Sequence, residues 1–561
     1  MLARSVSQRV LLHGRVRPTA LRSRIVNPVV RYNSTATGKA TPTWSNTGVF
    51  VIAGLTTTIG YWGSLYLHPP APKSVAPGKS PSSEPSAYGS SDDLRKCIDE
   101  LQATLSAEQV TTNEHVIHEH GYSTNAHHPA ANPSVVVYAG STEDVVKVVN
   151  LSRKYKIPIT PYSGGTSLEG NYGATNYAGI SLDLSNMDKI LEFHEQDGDM
   201  VVQAGARWDD INAHLKDEGI PLFFPLDPGP GATIGGMIGT GCSGTNAVRY
   251  GTAKAEWFLN ATVVLPSGEV IKTRQRARKS AAGFDTTKLF IGAEGTLGIV
   301  VEATIRLAPL LPTAVSVCQF PNVESATKAV TEILNKGVPI QCVELCDDKQ
   351  MEAINRGGFA GRSYPEVDSI FFKFQGSPAA IKEASNVARE ICKKHGSMGF
   401  ISAKNQQESD DIWHARKTAL WSNLAMVPGS RAWSTDVCVP ISRLPQLVQE
   451  TKEDLAKNGI VGMVVGHVGD GNFHTSLLFK NEEELDKCKE AVHRMVERAI
   501  ALDGTCTGEH GVGVGKKEYL YEELGVGTVE LMKTIKRTLD PSNLFNPGKL
   551  YPDEQPSSDH H

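Results

Sequence analysis

The sequence predicts an α+β protein, and three features predict it. From Ser134 the chain reads "SVVVYAG", "STEDVVKVVNLSRKY" and "IPITPYSGG", a strand, a helix opened by a Ser141-x-x-Asp144 capping box, and a strand running into a loop. Three glycine-rich loops follow between residues 161 and 300. After "LAPLLP" at 307–312, the run "TAVSVCQF", "NVESATKAVTEILNKG" and "VPIQCVEL" reads as strand, helix and strand of the split-βαβ kind. At 561 residues and 60.5 kDa the chain is long enough for several domains with large cores. No fixed-period repeat is visible.

Charge and cysteine usage narrow the class. Net charge of −5, with basic residues scattered beyond the N-terminus, argues against a nucleic-acid surface. The nine cysteines form no CxxC pair and read as reduced core thiols, and with no CxxCH the chain carries no attached c-type haem.

The N-terminal elements come next. Residues 1–40 hold seven arginines and no acidic residue, the composition of a mitochondrial presequence; a basic nucleic-acid arm is the competing reading. "TGVFVIAGLTTTIGYWGSLYL", 47–67, is uncharged and about long enough to cross a ~30 Å hydrocarbon core, with Tyr61, Trp62 and Tyr66 suited to an aromatic belt. It is read as a transmembrane anchor, with a plain linker as the alternative. Residues 68–91 are rich in Pro, Ser and Gly, a flexible tether. Folding resumes with the amphipathic helix "DDLRKCIDELQATL", the start of a helical lead-in over 92–128.

The loops "PYSGGTSLEG" (161–170), "FPLDPGPGATIGGMIGTGCSGTNAVRYG" (224–251) and "FIGAEGTLGIV" (290–300) bring bare backbone N–H groups and Ser/Thr hydroxyls together, as a pyrophosphate requires. "GTGCSG" at 239–244 spells GxGxxG but follows no convincing strand, so a Rossmann NAD site is not expected. "GVGVGKK" at 511–517 has Lys517 where a P-loop needs Ser or Thr, which removes support for ATP.

The stretch "VVGHVGDGNFH", 464–474, places two histidines around Asp470-Gly471, a two-residue hairpin signal. A turn there pairs Gly469 with Asn472, Val468 with Phe473 and His467 with His474, bringing the imidazoles to one face with Cβ atoms roughly 4.5–5.5 Å apart. Both could then reach one metal ion at about 2.0–2.1 Å. Rings that donate to carbonyls or face water are the competing reading. In "GTCTGEHGVGVGKKEYL", Glu509 and His510 point apart if the segment is extended, so one can face a metal and the other a substrate. With His467 and His474, Glu509 would complete a His₂Glu set that keeps a coordination position open. An N-capping glutamate beside a surface histidine is the alternative. The five histidines within 113–128 are read as non-metal.

The three loops, in this order, resemble the FAD domain of the vanillyl-alcohol-oxidase/PCMH-type flavoproteins over about residues 129–310. "GHVGDGNFH", "GEHGVG" and "NPGKL" together resemble the FAD-linked 2-hydroxy-acid dehydrogenases, from about residue 95 to 553. "TDVCVPISRLP" narrows the likeness to the mitochondrial, cytochrome-linked branch acting on D-lactate. The resemblance implies a two-lobed PCMH-type FAD domain at 129–310. It also implies a ferredoxin-like substrate or cap domain at 311–553 that carries the metal site and a C-terminal segment returning to the flavin. FAD contacts would come from Pro161, Ser163, Gly164, Gly165, Thr166 and Ser167 in the first loop. The second loop would supply Pro225, Asp227, Pro228, Gly229, Ala232 and Thr233, then Gly235, Gly236, Gly239, Gly241, Ser243, Gly244 and Tyr250. The third would supply Glu294, Gly295, Gly298, Ile299 and Val300, joined by Asn546. The first loop has no histidine at the position used by some relatives for a covalent bond, which implies non-covalent FAD.

Residue by residue, the resemblance makes His467, His474 and Glu509 ligands of a divalent metal, His510 the catalytic base and Arg416 the holder of the substrate carboxylate. Zinc suits His₂Glu best, with manganese and cobalt as alternatives. A neutral imidazole near pH 7 can take the hydroxyl proton, and arginine offers a two-pronged grip. In the related 2-hydroxyglutarate dehydrogenases, a lysine and a threonine stand at the positions of Ser434 and Leu420 and serve a distal carboxylate. Here Leu420, Ser434 and Ser476 line the expected substrate pocket with no second cation, which favours a small monocarboxylate, although Lys417 is a neighbour. The expected activity is oxidation of D-lactate to pyruvate, with electrons passed through FAD to cytochrome c. The catalytic body would sit at the inner mitochondrial membrane and face the intermembrane space. The alternatives are a D-2-hydroxyglutarate or other D-2-hydroxy-acid dehydrogenase, an oxygen-using oxidase, and a non-catalytic, membrane-anchored FAD/metal-binding protein.

Overall fold

A computed structural model describes residues 88–553, apart from 124–125, 129–130 and 175–178. The expected presequence, anchor and most of the tether lie outside the described residues, as does the terminal "DHH". Among the described residues no helix is long and apolar enough to cross a membrane. The expected lead-in helix spans Ser91–Thr104, started by a capping box in which Ser90 and Asp93 satisfy each other's backbone N–H. At helix Thr142–Tyr155 only half of the expected box forms. Ser141 accepts from the Asp144 N–H, while the Asp144 carboxylate turns to the Gly140 N–H at 3.2 Å and the Gln109 amide at 2.9 Å.

Two sheets carry the glycine-rich loops. The first orders its strands Val110–Thr111, Val135–Tyr138, Ile180–Asp183, Ile159–Tyr162, the last three parallel. The second is antiparallel, ordered Ile190–His194, Asp199–Gln203, Ile299–Arg306, Phe258–Val264, Val270–Lys272. Each has its own apolar core. Between strands Leu222–Phe223 and Phe258–Val264 the short helix Ile234–Thr240 is capped by Thr233 and ends at Gly241, whose φ of 69° is open to glycine at low cost. The "GTGCSG" spelling therefore runs out of a helix, not a strand, as the rejection of a Rossmann site requires.

The C-terminal half is built on a third, antiparallel sheet. Four strands lie in the order Gly399–Ser402, Thr313–Gln319, Ser369–Gln375, Ile340–Cys346, with helices Val323–Asn335 and Pro378–Lys394 as the connections of a ferredoxin-like unit. Strand Ile340–Cys346 is buried along its whole length, as a central strand must be. The histidine hairpin extends this sheet: Leu345 pairs with Gly466 and Cys346 with Val465, and strand Arg431–Ser434 closes the far side on Asn472–Phe479.

The hairpin register differs from expectation by two residues. His467 pairs with Asn472, and His474 with Val465, so the loop is the four residues 468–471. Val468 leaves the ladder for the core, Asp470 N–H donates back to His467 at 2.9 Å, and Gly471 takes φ 79° against the Val439 carbonyl. Because side chains repeat every two residues, a slip of two keeps both histidines on one face as diagonal neighbours.

The last residues return to the first sheet. Phe545 bridges to Ile159, and Asn546 donates to the carbonyls of Asn171 (3.0 Å) and Glu294 (2.7 Å). The return is held by a buried pair: Lys536 Nζ lies 2.5 Å from Asp540, whose carboxylate also accepts from the Leu544 and Phe545 N–H groups. Asp540→Ala would leave a buried ammonium unpaired and two N–H groups orphaned, a loss of about 3–5 kcal/mol. The urea midpoint of unfolding should fall sharply, and a midpoint unchanged from wild type would contradict this role.

Candidate active site

Three polar side chains converge where the hairpin meets the segment 504–516. His467 Nε2 lies 3.5 Å from His474 Nε2 and 3.3 Å from Glu509 Oε1, and His474 Nε2 lies 3.0 Å from the same oxygen. Among the described residues this is the one group of three such side chains able to share an ion. A tetrahedral ion with bonds of about 2.0–2.1 Å has ligand–ligand edges of roughly 3.3–3.4 Å, close to all three separations.

The outer nitrogens fix the tautomers. His474 Nδ1 meets the Thr435 carbonyl at 2.9 Å; a carbonyl only accepts, so Nδ1 is the donor and Nε2 keeps its lone pair. His467 Nδ1 meets Glu344 Oε1 at 2.9 Å with the same result. Both imidazoles thus turn Nε2 toward one carboxylate, the arrangement of ligating histidines backed by carbonyl or carboxylate. Burial pushes the Glu509 carboxyl up, but His467 and His474 pull it well below the usual carboxylate range. Burial lowers His467, and Glu344 followed by Glu509 raise it well above the usual histidine value. A cation entering the set displaces the proton that this charge excess holds.

Asp436 holds the pieces in register. This fully buried carboxylate accepts from Asn472 Nδ2 (2.7 Å) in the hairpin, and from Thr507 Oγ1 (2.8 Å), Glu509 N–H (2.8 Å) and His510 N–H (3.0 Å). Sequence reasoning missed Glu344, Asp436 and Glu169. The available signals were an acid inside the apolar run "VPIQCVEL" and another inside "STDVCVP", since an unpaired buried carboxylate is too costly to keep without partners.

The segment at Glu509 and His510 is bent rather than extended, and both side chains lie against His474. His510 stacks on His474, ring centroids 5.0 Å apart at 10°, with Nδ1 3.7 Å from Glu169 Oε1. Burial presses this imidazole toward neutrality, but Asp436 and Glu169 outweigh it and raise its proton affinity. A dication held by the triad would oppose that rise. Arg416, on helix Gln406–Lys417, donates to Glu344 Oε2 at 2.6 Å and keeps its Nε buried and unpartnered. Glu344 thus joins the arginine to the imidazole of His467.

Arg416, His467, His474, Glu509 and His510 face one cavity of about 690 Å³. Leu420, Ser434, Ser476 and Lys417 line it beside Arg416 and His510, and the three glycine-rich loops form the rest of its wall. From the first loop it takes Pro161 and Ser163 to Ser167; from the second, Asp227 to Gly229, Ala232, Thr233, Gly235, Gly236, Gly239 and Gly244; from the third, Glu294, Gly295 and Gly298 to Val300, with Asn546. Four expected contacts lie off this wall: Pro225, whose carbonyl accepts from Asn246; Gly241 at the helix end; Ser243; and Tyr250, whose hydroxyl donates to Gln375. The hydroxyls of Ser163, Ser167 and Ser476 are buried without partners, so the wall carries polar groups awaiting a polar ligand. Bare backbone at Gly229 and Gly239 adds room for close approach. These features fit a dinucleotide laid along the loops. Among the five lead-in histidines, His120 is structural, bound to Asp183 at 2.9 Å and to the Val116 carbonyl at 2.8 Å.

Fold and cavity define an FAD-binding oxidoreductase. Residues 133–274 match the family described as "FAD binding domain" and residues 312–550 match "FAD linked oxidases, C-terminal domain". The chain is 43% identical to "D-lactate dehydrogenase [cytochrome], mitochondrial" of Arabidopsis thaliana, covering 82% of this chain and 80% of that one. It is 41% identical to "D-lactate dehydrogenase [cytochrome] 1, mitochondrial" of Saccharomyces cerevisiae, over 78% of this chain and 76% of that one. The fold is shared with 4-ethylphenol oxidase from Gulosibacter chungangensis, at a TM-score of 0.68 and 19% identity, covering 83% of this chain and 99% of that one. The chain belongs to the mitochondrial D-lactate dehydrogenase family of FAD-linked oxidases.

Glu344→Gln keeps the shape but weakens the acceptor behind His467. Zinc affinity measured by calorimetry on the flavin-loaded protein should fall about 10–100-fold. Unchanged affinity would remove Glu344 from the account.

Proposed function

We propose that this protein oxidises D-lactate to pyruvate with non-covalent FAD and a divalent metal, zinc by preference, and hands the electrons to cytochrome c. The observation that carries the reading is that His467, His474, Glu509, His510 and Arg416 share one cavity with the FAD-binding loops. Bound FAD supplies an acceptor for the C2 hydride, and a bound dication supplies positive charge beside the developing alkoxide.

The chain's own residues do the rest. Arg416, held by Glu344, offers its free Nε to the substrate carboxylate and so fixes which C2 face is presented. His510 takes the hydroxyl proton on its ring. Ser434, Ser476 and Leu420 leave room for a methyl group and offer no cation to a second carboxylate. The presequence-like N-terminus and the apolar segment 47–67 support a body tethered to the inner mitochondrial membrane on the intermembrane side, with 129–310 as the FAD domain and 311–553 as the cap. A second reading, a larger D-2-hydroxy dicarboxylate, rests on Lys417, which reaches the same wall.

Dye reduction by flavin- and metal-loaded protein should be fastest with D-lactate among D-lactate, L-lactate, glycolate and D-2-hydroxyglutarate. Faster turnover of D-2-hydroxyglutarate would favour the second reading, and no turnover of any of them would end the enzymatic one. His474→Ala should lose metal and activity yet remain yellow, because the flavin loops lie on other elements; loss of flavin with the metal would contradict that separation.

A further inference from the structure

Glu169, next to last in the first glycine-rich loop, has so far appeared only as a charge beside His510. Its side chain is 1% exposed, and both carboxylate oxygens are buried without a hydrogen-bond partner. Oε1 faces His510 Nδ1 at 3.7 Å, and that nitrogen is also buried and unpartnered. On its other side Oε2 lies 3.8 Å from His128 Nε2. Lys516, 1% exposed, has an Nζ without a hydrogen-bond partner. His128 and Lys516 line a second cavity, of about 670 Å³, so Glu169 stands between that cavity and the base.

The segment 510–516 is shaped around this carboxylate. Val514 and Gly515 N–H groups donate to the Glu169 carbonyl at 2.9 and 3.3 Å. A Cβ at Gly513 would lie 2.0 Å from that carbonyl oxygen, and one at Gly515 would lie 2.5 Å from Oε2. The glycine spacing of "GEHGVGVG" therefore makes room for Glu169 as much as for any ligand. Burial pushes the Glu169 carboxyl up, but Lys516 first, then His128 and His510, pull it well below the usual range, so it stands ionised.

We propose that Glu169 is the positioning residue of the base: its carboxylate holds His510 Nδ1–H, fixing the ring and leaving Nε2 as the free lone pair for the substrate. The inference rests on the reading of His510 as the base. A separation of 3.7 Å exceeds a hydrogen bond, but catalytic hydrogen bonds are often long before reactants bind, and neither Glu169 Oε1 nor His510 Nδ1 has another hydrogen-bond partner. In the step served, the substrate O–H bond breaks, the N–H bond forms at Nε2, and the C2 hydrogen leaves with its electron pair to the flavin.

Glu169→Gln can offer its amide nitrogen to Nδ1 and so invite the wrong tautomer, whereas Glu169→Asp keeps the charge. With D-lactate, Glu169→Gln should lower kcat about 100-fold or more, leave KM, flavin content and metal content near wild type, and be partly rescued by Glu169→Asp. Gly515→Ala, which crowds Oε2, should show the same kcat-selective loss. A Glu169→Gln enzyme with wild-type kcat, or one whose kcat falls only in step with lost flavin, would overturn the proposal. His510→Gln separates the two levels: if it is inactive while Glu169→Gln is fully active, the positioning role fails and the base stands, whereas a fully active His510→Gln removes the base and the inference together.

Discussion

One carboxylate oxygen, Glu509 Oε1, lies within 3.3 Å of two buried imidazole nitrogens, each turned toward it by an acceptor behind its ring. Three acceptor atoms that close, and that deep, repel one another unless a positive charge sits among them. The geometry of the rest of the site follows from meeting that demand. The protein uses Thr435 and Glu344 to orient the rings from behind and Asp436 to tie the hairpin to the segment that carries Glu509 and His510. The ferredoxin-like sheet is the foundation, because Glu344 belongs to a strand buried along its length and paired with the hairpin.

The same constraints bind the two halves of the chain to one cavity. Glu294, from the third flavin loop, accepts from the N–H groups of Val512 and Gly513, and Asn546 returns to Asn171 and Glu294. The segment with His510, the proposed base, is thus hydrogen-bonded directly to the loops that fit the dinucleotide. Glu169 adds a second tie from the first loop. A hydride acceptor and a proton acceptor must each be held to within about 1 Å of their reactive positions, and backbone donors on buried carboxylates supply rigid ties.

Much of this was legible in the sequence because it rests on local rules. The alternation from Ser134, the two βαβ-like runs and the hairpin at Asp470-Gly471 each follow from periodicity and turn chemistry, whereas turn chemistry only raised the question of the two histidines, and the choice of Glu509 as their partner came from the family resemblance. The hairpin register was not legible: Asp-Gly signals a turn but not its length, and Val468 was drawn from the ladder by core packing that only the tertiary structure shows. That slip did no harm because it was an even number of residues. Glu344, Asp436 and Glu169 were missed for a different reason. Their partners lie 36 to 341 residues away along the chain, so nothing in their own neighbourhoods marks what they hold. The raised proton affinity of His510 was also out of reach, since the charges that raise it belong to Asp436 and Glu169.

Anomalous diffraction at the zinc edge, from crystals of the flavin-loaded protein grown with stoichiometric zinc, tests the central claim most directly. The account predicts a single strong peak bounded by His467 Nε2, His474 Nε2 and a Glu509 carboxylate oxygen, at about 2.0–2.2 Å from each. A peak lying elsewhere, or full D-lactate turnover by protein shown to hold no metal, would contradict it.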